Sequence, residues 1–489
     1  MSIRSAQPAA SPAASPAASP AASPTASPAV PESGPPAARR APRRATRRAA
    51  LGAPGLALAG GAALAACAPG GASPGGPPPA ATPPRAVTVA FAPGSWGTRA
   101  GRKEVTDGML QQFGARYPHI TVDVQQEAPS PTPNQSWITR VVSGDVPDLV
   151  ISSGALFEWM ARRGVWADMR PALQRLGWKQ GDVFHNPTTI GFEGKQHAVP
   201  FVAHQGGALV YNKTLFGEAG VPFPTRDWTW EDVLEAARRL TRPERNQWGI
   251  NGAFGHGVFF ASVWAAGGEV LSRDGRQTRF AGPEGLAALE RLSDLTTRHR
   301  VSPPPQQQTA ERLAFAGGHF AMEINTPGRQ SAQGIGDRFD WDVALFPRWP
   351  GTRRRVAIAD YSEWAVTSGA QQRGVVEAAT QLAAFYTADA TQALIADISP
   401  ASTTPANKAV ARSARYLAPP PASMRLIVDM LDGKEETDAR GWPYFEYFQQ
   451  WQLPIRDLLP RVFNGEVPVK DGLQQAAEQS DREVAAFRS

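Results

Sequence analysis

Residues 86–489 predict an α/β fold of two lobes, each a mainly parallel sheet flanked by helices. Two observations carry this reading. The segment is long enough for two cores rather than one. Short alternating runs recur between helix-periodic runs, and strands that alternate with helices build parallel sheets covered on both faces.

The elements follow in order. "AVTVAF", from Ala86, alternates and is β-branched, so it reads as the first strand. Val105, Met109, Leu110, Phe113 and Tyr117 recur at helical spacing, and Pro118 ends that helix. "ITVDV" sets Ile120, Val122 and Val124 on one face of the next strand. "SWITRVVSGDVPDLVISSG" repeats a helix, a break at Pro147 and a strand. "TWEDVLEAARRLT" opens with Thr229 and Asp232 at capping-box spacing. "GPEGLAALERLSDLTTRH" puts Pro283 at a helix start and Leu286, Leu289 and Leu292 along one face. "RGVVEAATQLAAFYT" is a further amphipathic helix, and beyond Pro419 the chain reads as mostly helical.

The first 66 residues are of another kind. "PAASPAASPAASPTASP" has too little apolar bulk to offset ordering entropy and reads as a disordered extension. Its length is unusual for a leader, which leaves a translation start downstream of Met1 open. A basic segment with Arg39, Arg40, Arg43, Arg44, Arg47 and Arg48 follows. A weakly apolar run from Ala49 to Ala66 then leads to Cys67, the single cysteine of the chain. Basic, apolar, then small residues is the plan of an export signal. Leu64-Ala65-Ala66-Cys67 resembles a bacterial lipobox, which implies acylation of Cys67 and cleavage before it. Thr46-Arg47-Arg48-Ala49-Ala50-Leu51 resembles a twin-arginine signal, although the general secretory route would accept the same arginines. Residues 67–85 are rich in Pro, Gly and Ala and read as a flexible tether.

Charge excludes one function class. The formal net charge is +6, yet seven arginines and one acid, Glu32, precede Cys67 and account for all of it. The remainder is neutral overall and gives no electrostatic case for nucleic acid. One cysteine excludes an intramolecular disulfide and a Cys-rich zinc site. Walker A and H-E-x-x-H patterns are absent from the sequence. Arg353-Arg354-Arg355 reads as a solvated turn, and "DGKEETD" as a solvated acidic loop whose Lys434 breaks a calcium-ligand pattern. No catalytic residues, metal ligands or cofactor site are expected.

The body resembles the extracellular solute-binding proteins of sugar ABC transporters, the broad group that includes maltose-binding protein. The matching stretches are "GDVPDLV", "GVWADMRPAL", "HAVPFVAHQGGALVYNKTLFGEAGV", "WTWEDVLEAARRLT", "WAAGGEVL", "FAGGHFAMEINTPG", "DYSEWAVTSGA" and "AAFYTADATQALIAD", in the order the group has them. The resemblance implies a two-lobed periplasmic-binding-protein type II fold with ligand in the interlobe cleft. It places chain crossings near 202–204, 366–368 and 411–424. The first lobe is then 86–203 with 368–411, and the second 204–367 with 412–489. It further implies a monomeric receptor, lipid-anchored at Cys67 on the outer face of the cytoplasmic membrane or in the periplasm. That receptor delivers a mono- or oligosaccharide to ABC permease subunits. Two other readings stay open at this point: a receptor for a non-sugar solute such as a glycerol phosphate or a polyamine, and an anchored carbohydrate-active enzyme.

Fourteen Trp against seven Tyr is heavy Trp usage, and sugar clefts need flat aromatic platforms with planar polar groups around them. Trp96 follows the first strand, where ligands meet open α/β sheets. Trp264 precedes Gly267-Gly268, and Trp442 and Tyr444 lie in "GWPYFEYF". Trp364 stands where the resembled group often carries an aromatic, beside Asp360 and Glu363, which can accept sugar hydroxyls. Asn325 ends a strand expected to face the cleft. Gly328 and Arg329 replace an aromatic many members carry there, so Arg329 is a candidate for an acidic ligand group. The ligand-binding candidates are thus Trp96, Trp264, Asn325, Asp360, Glu363, Trp364, Trp442 and Tyr444. For each Trp, core packing competes with this role.

Overall fold

The computed structural model describes residues 85–126, 139–141, 143–152, 154–325, 334–398 and 404–488. Cys67, the export leader, the tether as far as residue 84 and Arg329 lie outside them.

The described strands are β1 (Val87–Ala92), β2 (Ile120–Val124), β3 (Leu149–Ser152), β4 (Gly191–Phe192), β5 (Lys195–Gln196), β6 (Ala198–Gly206), β7 (Ala208–Asn212), β8 (Met322–Asn325), β9 (Trp341–Leu345), β10 (Val356–Val366), β11 (Thr404–Pro405) and β12 (Asp438–Arg440). In the first sheet β2, β1, β3, β10, β6 and β11 lie side by side, and β12 joins β10. The second sheet has the order β8, β7, β9, while β4 and β5 form a small ribbon.

Local signals are realised as read. Val89 and Phe91 of β1 pack with Met109 and Phe113 of the helix Arg102–Arg116. The Thr229 backbone N–H donates to Asp232 Oδ2 (2.7 Å), and the Asp232 N–H donates back to Thr229 Oγ1 (3.4 Å). Pro283 opens the helix Pro283–Thr297, which buries Leu289 and Leu292.

Strand direction departs from the expectation of mainly parallel sheets. β1 pairs in parallel with β2 and β3, but β10 runs antiparallel to β3 and β6. Both pairings of the second sheet are antiparallel. A strand–helix–strand unit fixes parallel pairing only between its own strands. β8 and β9 return to β7 after a long helical excursion, and hydrophobic patterning does not encode the direction of that return.

The chain leaves the first sheet between β6 and β7. Gly207 makes this passage with φ +119°, and a Cβ there would stand 3.0 Å from the Phe346 ring. Sign of φ and space both favour glycine. The chain returns to the first sheet at β10, upstream of the crossing expected near 366–368. β10 serves two cores: Val356 and Ile358 pack with Phe346 and Trp230, while Trp364 and Val366 pack with Phe91 and Phe201.

Asp148 is a buried tie between β1 and β3. Its Oδ2 accepts from the Ala90 N–H (2.7 Å) and its Oδ1 from Arg373 Nε (2.8 Å). Asp148→Ala leaves a buried N–H without an acceptor and should cost about 1–3 kcal/mol, read from the urea midpoint.

Candidate functional site

β6 lies along one edge of β10. Along the other edge β3 covers Glu363–Val366 and β12 covers Val356–Ile358. Among the described residues no strand covers 359–362 on that edge. β3 is antiparallel to β10 and ends at Ser152, opposite Glu363. β12 is parallel to β10 and ends at Arg440, opposite Ile358. The carboxyl ends of β3 and β12 therefore point at each other across the gap. Carboxyl ends of strands at a change of sheet order are where open α/β sheets hold ligands.

Asp360 stands at this gap. Its Oδ2 accepts from the Tyr444 hydroxyl (3.0 Å). Burial pushes its carboxyl up to about 6, against smaller opposing effects of the Tyr361 backbone and the Tyr444 hydroxyl. Glu363 is 0% exposed and its Oε1 accepts from Thr189 Oγ1 (2.6 Å). Burial pushes it well above the usual carboxylate range, with Asp360 adding to the shift. Burial and the neighbouring Asp360 likewise raise the Tyr444 hydroxyl. Among the described residues no Lys or Arg forms an ion pair with either carboxyl. On the facing edge of this corner, His204 Nε2 and Ser362 Oγ lie 2.9 Å apart.

The turns that leave β3 and β12 meet over the gap. β3 leads to the helix Gly154–Arg162, and β12 leads to Gly441, Trp442 and Tyr444. The Tyr444 ring lies so close to Gly154 that a Cβ there would be 2.0 Å from its Cε2. Only the bare glycine backbone admits the ring. Trp442 packs on the imidazole of His256 with centroids 4.7 Å apart. Burial and Arg456 lower His256 to about 4, so it packs as a neutral ring. At the rim Glu446 pairs with Arg163 (2.9 Å) and Arg162 (3.9 Å), and Arg163 lies over the Trp159 ring. Exposed pairs of this kind contribute about 0–1 kcal/mol each and act more as alignment than as energy.

Of the sequence-predicted residues, the structure gathers Asp360, Glu363 and Tyr444 here, with Trp442 beside them. Trp96 and Trp364 are elsewhere. Both belong to the core packed on the first sheet: Trp364 is 0% exposed and stacks on Phe201 at 4.4 Å, and Trp96 is 1% exposed and meets the edge of Phe201 at 4.9 Å. Trp264 is buried in the core that holds Trp230 and Phe260, under Arg440. Asn325 pairs through its backbone with Ala208, and its side chain lies outside what is described. Ser152, Thr189 and Gly154 were missed. "DLVISSG" carried the signal for two of them, because a strand that ends in Ser and Gly presents small polar groups at its carboxyl end.

A separate hollow of about 580 Å³ is lined by Tyr117, Trp178 and Phe385 among others. None of the predicted residues reaches it.

A family model described as bacterial extracellular solute-binding protein matches residues 97–393. A mannitol-binding protein of Pseudomonas aeruginosa is 30% identical over 316 residues, which cover 60% of this chain and 71% of that protein. Among solved structures, an ABC substrate-binding protein from Listeria monocytogenes in complex with cycloalternan superposes with a TM-score of 0.67 at 22% identity, over 81% of this chain and 99% of that one. A maltose-bound T. maritima protein superposes with a TM-score of 0.64 at 21% identity, over 81% and 99%. A Mycobacterium tuberculosis protein in complex with glycerophosphocholine does so with a TM-score of 0.66 at 19% identity, over 82% and 100%.

Proposed function

Because this chain belongs to the bacterial extracellular solute-binding protein family, we propose that it captures a carbohydrate, a mono- or oligosaccharide or a related polyol, where β3, β10 and β12 meet. It then delivers that ligand to the permease of an ABC importer. The observation that carries this reading is the pair of buried carboxyls, Asp360 and Glu363, grouped with the Tyr444 hydroxyl and, among the described residues, with no cation paired to them. Such a group both donates and accepts hydrogen bonds, and a ligand rich in hydroxyls satisfies it. An anionic ligand brings further negative charge into a site where no described residue supplies a counter-ion. The mannitol-binding relative and the cycloalternan and maltose complexes support the same chemistry. The role is binding and delivery rather than catalysis.

The experiment is a thermal-shift screen of the folded body against neutral sugars and polyols, glycerol phosphodiesters and polyamines. A ligand at a hundred times Kd stabilises by about 2.7 kcal/mol, an easily read shift. A shift with neutral carbohydrate supports the reading. A shift confined to the phosphodiesters or polyamines replaces it with the non-sugar alternative, and release of cleavage products from oligosaccharides replaces it with an enzyme.

The same proposal includes export and anchoring through Cys67, on the strength of Leu64-Ala65-Ala66 before it. Cys67→Ser should abolish acylation and leave the precursor uncleaved at that point. Mass spectrometry of the wild-type membrane fraction should find a lipid-modified N-terminal Cys67, and a mature N-terminus elsewhere rules the anchor out.

A further inference from the structure

The corner beneath Tyr444 holds hydrogen-bonding capacity that the chain itself does not use. Ser152 and Glu363 face each other across the β3–β10 ladder, 3% and 0% exposed. Thr189 satisfies Glu363 Oε1. Glu363 Oε2 and Ser152 Oγ have no partner among the described residues. Buried polar atoms are nearly always paired, so two adjacent orphans on register neighbours call for an explanation.

Their chemistry narrows what can pair with them. Burial raises the Glu363 carboxyl well above the usual carboxylate range and so favours its neutral form. With Oε1 accepting from Thr189, the proton belongs on Oε2. The corner thus presents a neutral carboxyl O–H and, beside it, a serine hydroxyl. Each donates one hydrogen bond and can accept another. Two hydroxyls on adjacent ligand carbons have the same donor and acceptor capacity. A ligand carboxylate or phosphate at that position only accepts, and it stands close to Asp360, with which no cation among the described residues is paired.

We propose that Glu363 and Ser152 are specificity-determining ligand contacts, which bind a vicinal diol of a neutral polyol or sugar once Tyr444 withdraws from Gly154, and which discriminate against an anionic group at that position. The inference rests on the carbohydrate reading above and assigns it a diol subsite. Replacing the Glu363 carboxyl by an amide keeps one donor and one acceptor in place. Replacing it by an apolar side chain keeps the volume and removes both. A merely structural role responds to these changes through stability, whereas a contact responds through affinity.

The test is calorimetric titration of wild type, Glu363→Gln, Glu363→Leu and Ser152→Ala with D-mannitol, maltose, D-mannonate and mannitol 1-phosphate. The expected result has four parts. A neutral probe binds wild type, and the two anionic probes bind at least about tenfold more weakly than mannitol. Glu363→Gln stays within about threefold of wild type. Glu363→Leu and Ser152→Ala lose about tenfold or more, with melting temperatures that do not follow the loss. If Glu363→Leu does not fold, Ser152→Ala decides alone. Neutral binding left within about threefold by both Glu363→Leu and Ser152→Ala overturns the diol subsite and leaves the carbohydrate reading standing. Wild type that binds neither mannitol nor maltose, but binds an anionic probe, overturns both.

Discussion

Trp364→Ala is expected to lower stability by about 3–5 kcal/mol, as core Trp truncations do, while ligand affinity of the folded fraction stays within about threefold. The indole is enclosed by Phe201 at 4.4 Å, Tyr386 at 4.7 Å and Phe91 at 5.0 Å. Phe201 is itself shared with Trp96. Removing the largest of these rings opens a cavity where β1, β6 and β10 meet, and close-packed neighbours refill such space only partly. The residue lies beside Glu363 in sequence, so a ligand-stacking role also fits the sequence. Denaturant melts and a titration on the same variant separate the two roles. A loss of affinity of about thirtyfold at unchanged stability would return Trp364 to the binding site.

Asp360→Asn is expected to gain stability relative to wild type as pH rises, by about 2.4 kcal/mol between pH 4 and pH 7. Burial lifts the Asp360 carboxyl from the ordinary 3.8 to about 6. Below the unfolded value the group is protonated whether the chain is folded or not, and the buried neutral acid carries no ionisation penalty. As pH rises through the folded value, the unfolded chain ionises freely and the folded chain does so at a cost. Wild-type stability from this group therefore falls across about pH 4 to 6 and stays low above. The substituted amide is neutral throughout, and the difference between the two proteins isolates the site from the other carboxyls. Urea melts across that range measure it. A difference that does not change with pH would mean that the Asp360 carboxyl is hydrated rather than enclosed.

How much was legible in the sequence depends on the range of the interaction. The capping box at Thr229 and the Pro283 helix start are encoded within a few residues, and both form. Asp360, Glu363 and Tyr444 were within reach because hinge-proximal acids and a loop aromatic are the groups a sugar cleft needs. The face on which a strand residue lies was harder. Glu363 and Trp364 are neighbours with opposite fates, and the β10–β6 register shifts between Ser362 and Glu363. A one-residue slip exchanges the buried and open faces of a strand, and nothing local announces it. β12 is three residues without apolar alternation, recruited by β10 from far along the chain. Without β12 the gap at 359–362 has only one bounding strand, so Ser152 and Gly154 had no visible partner.

Hydrogen–deuterium exchange of the mature chain, with and without the neutral ligand found by screening, tests the central claim most directly. Ligand held where β3, β10 and β12 meet should slow exchange in 149–158, 186–190, 358–364 and 439–447 together, because these segments converge on one corner. It should leave the separate hollow around 176–182 and 384–390 unchanged. Protection confined to that hollow, with the four converging segments unaffected, would contradict the account.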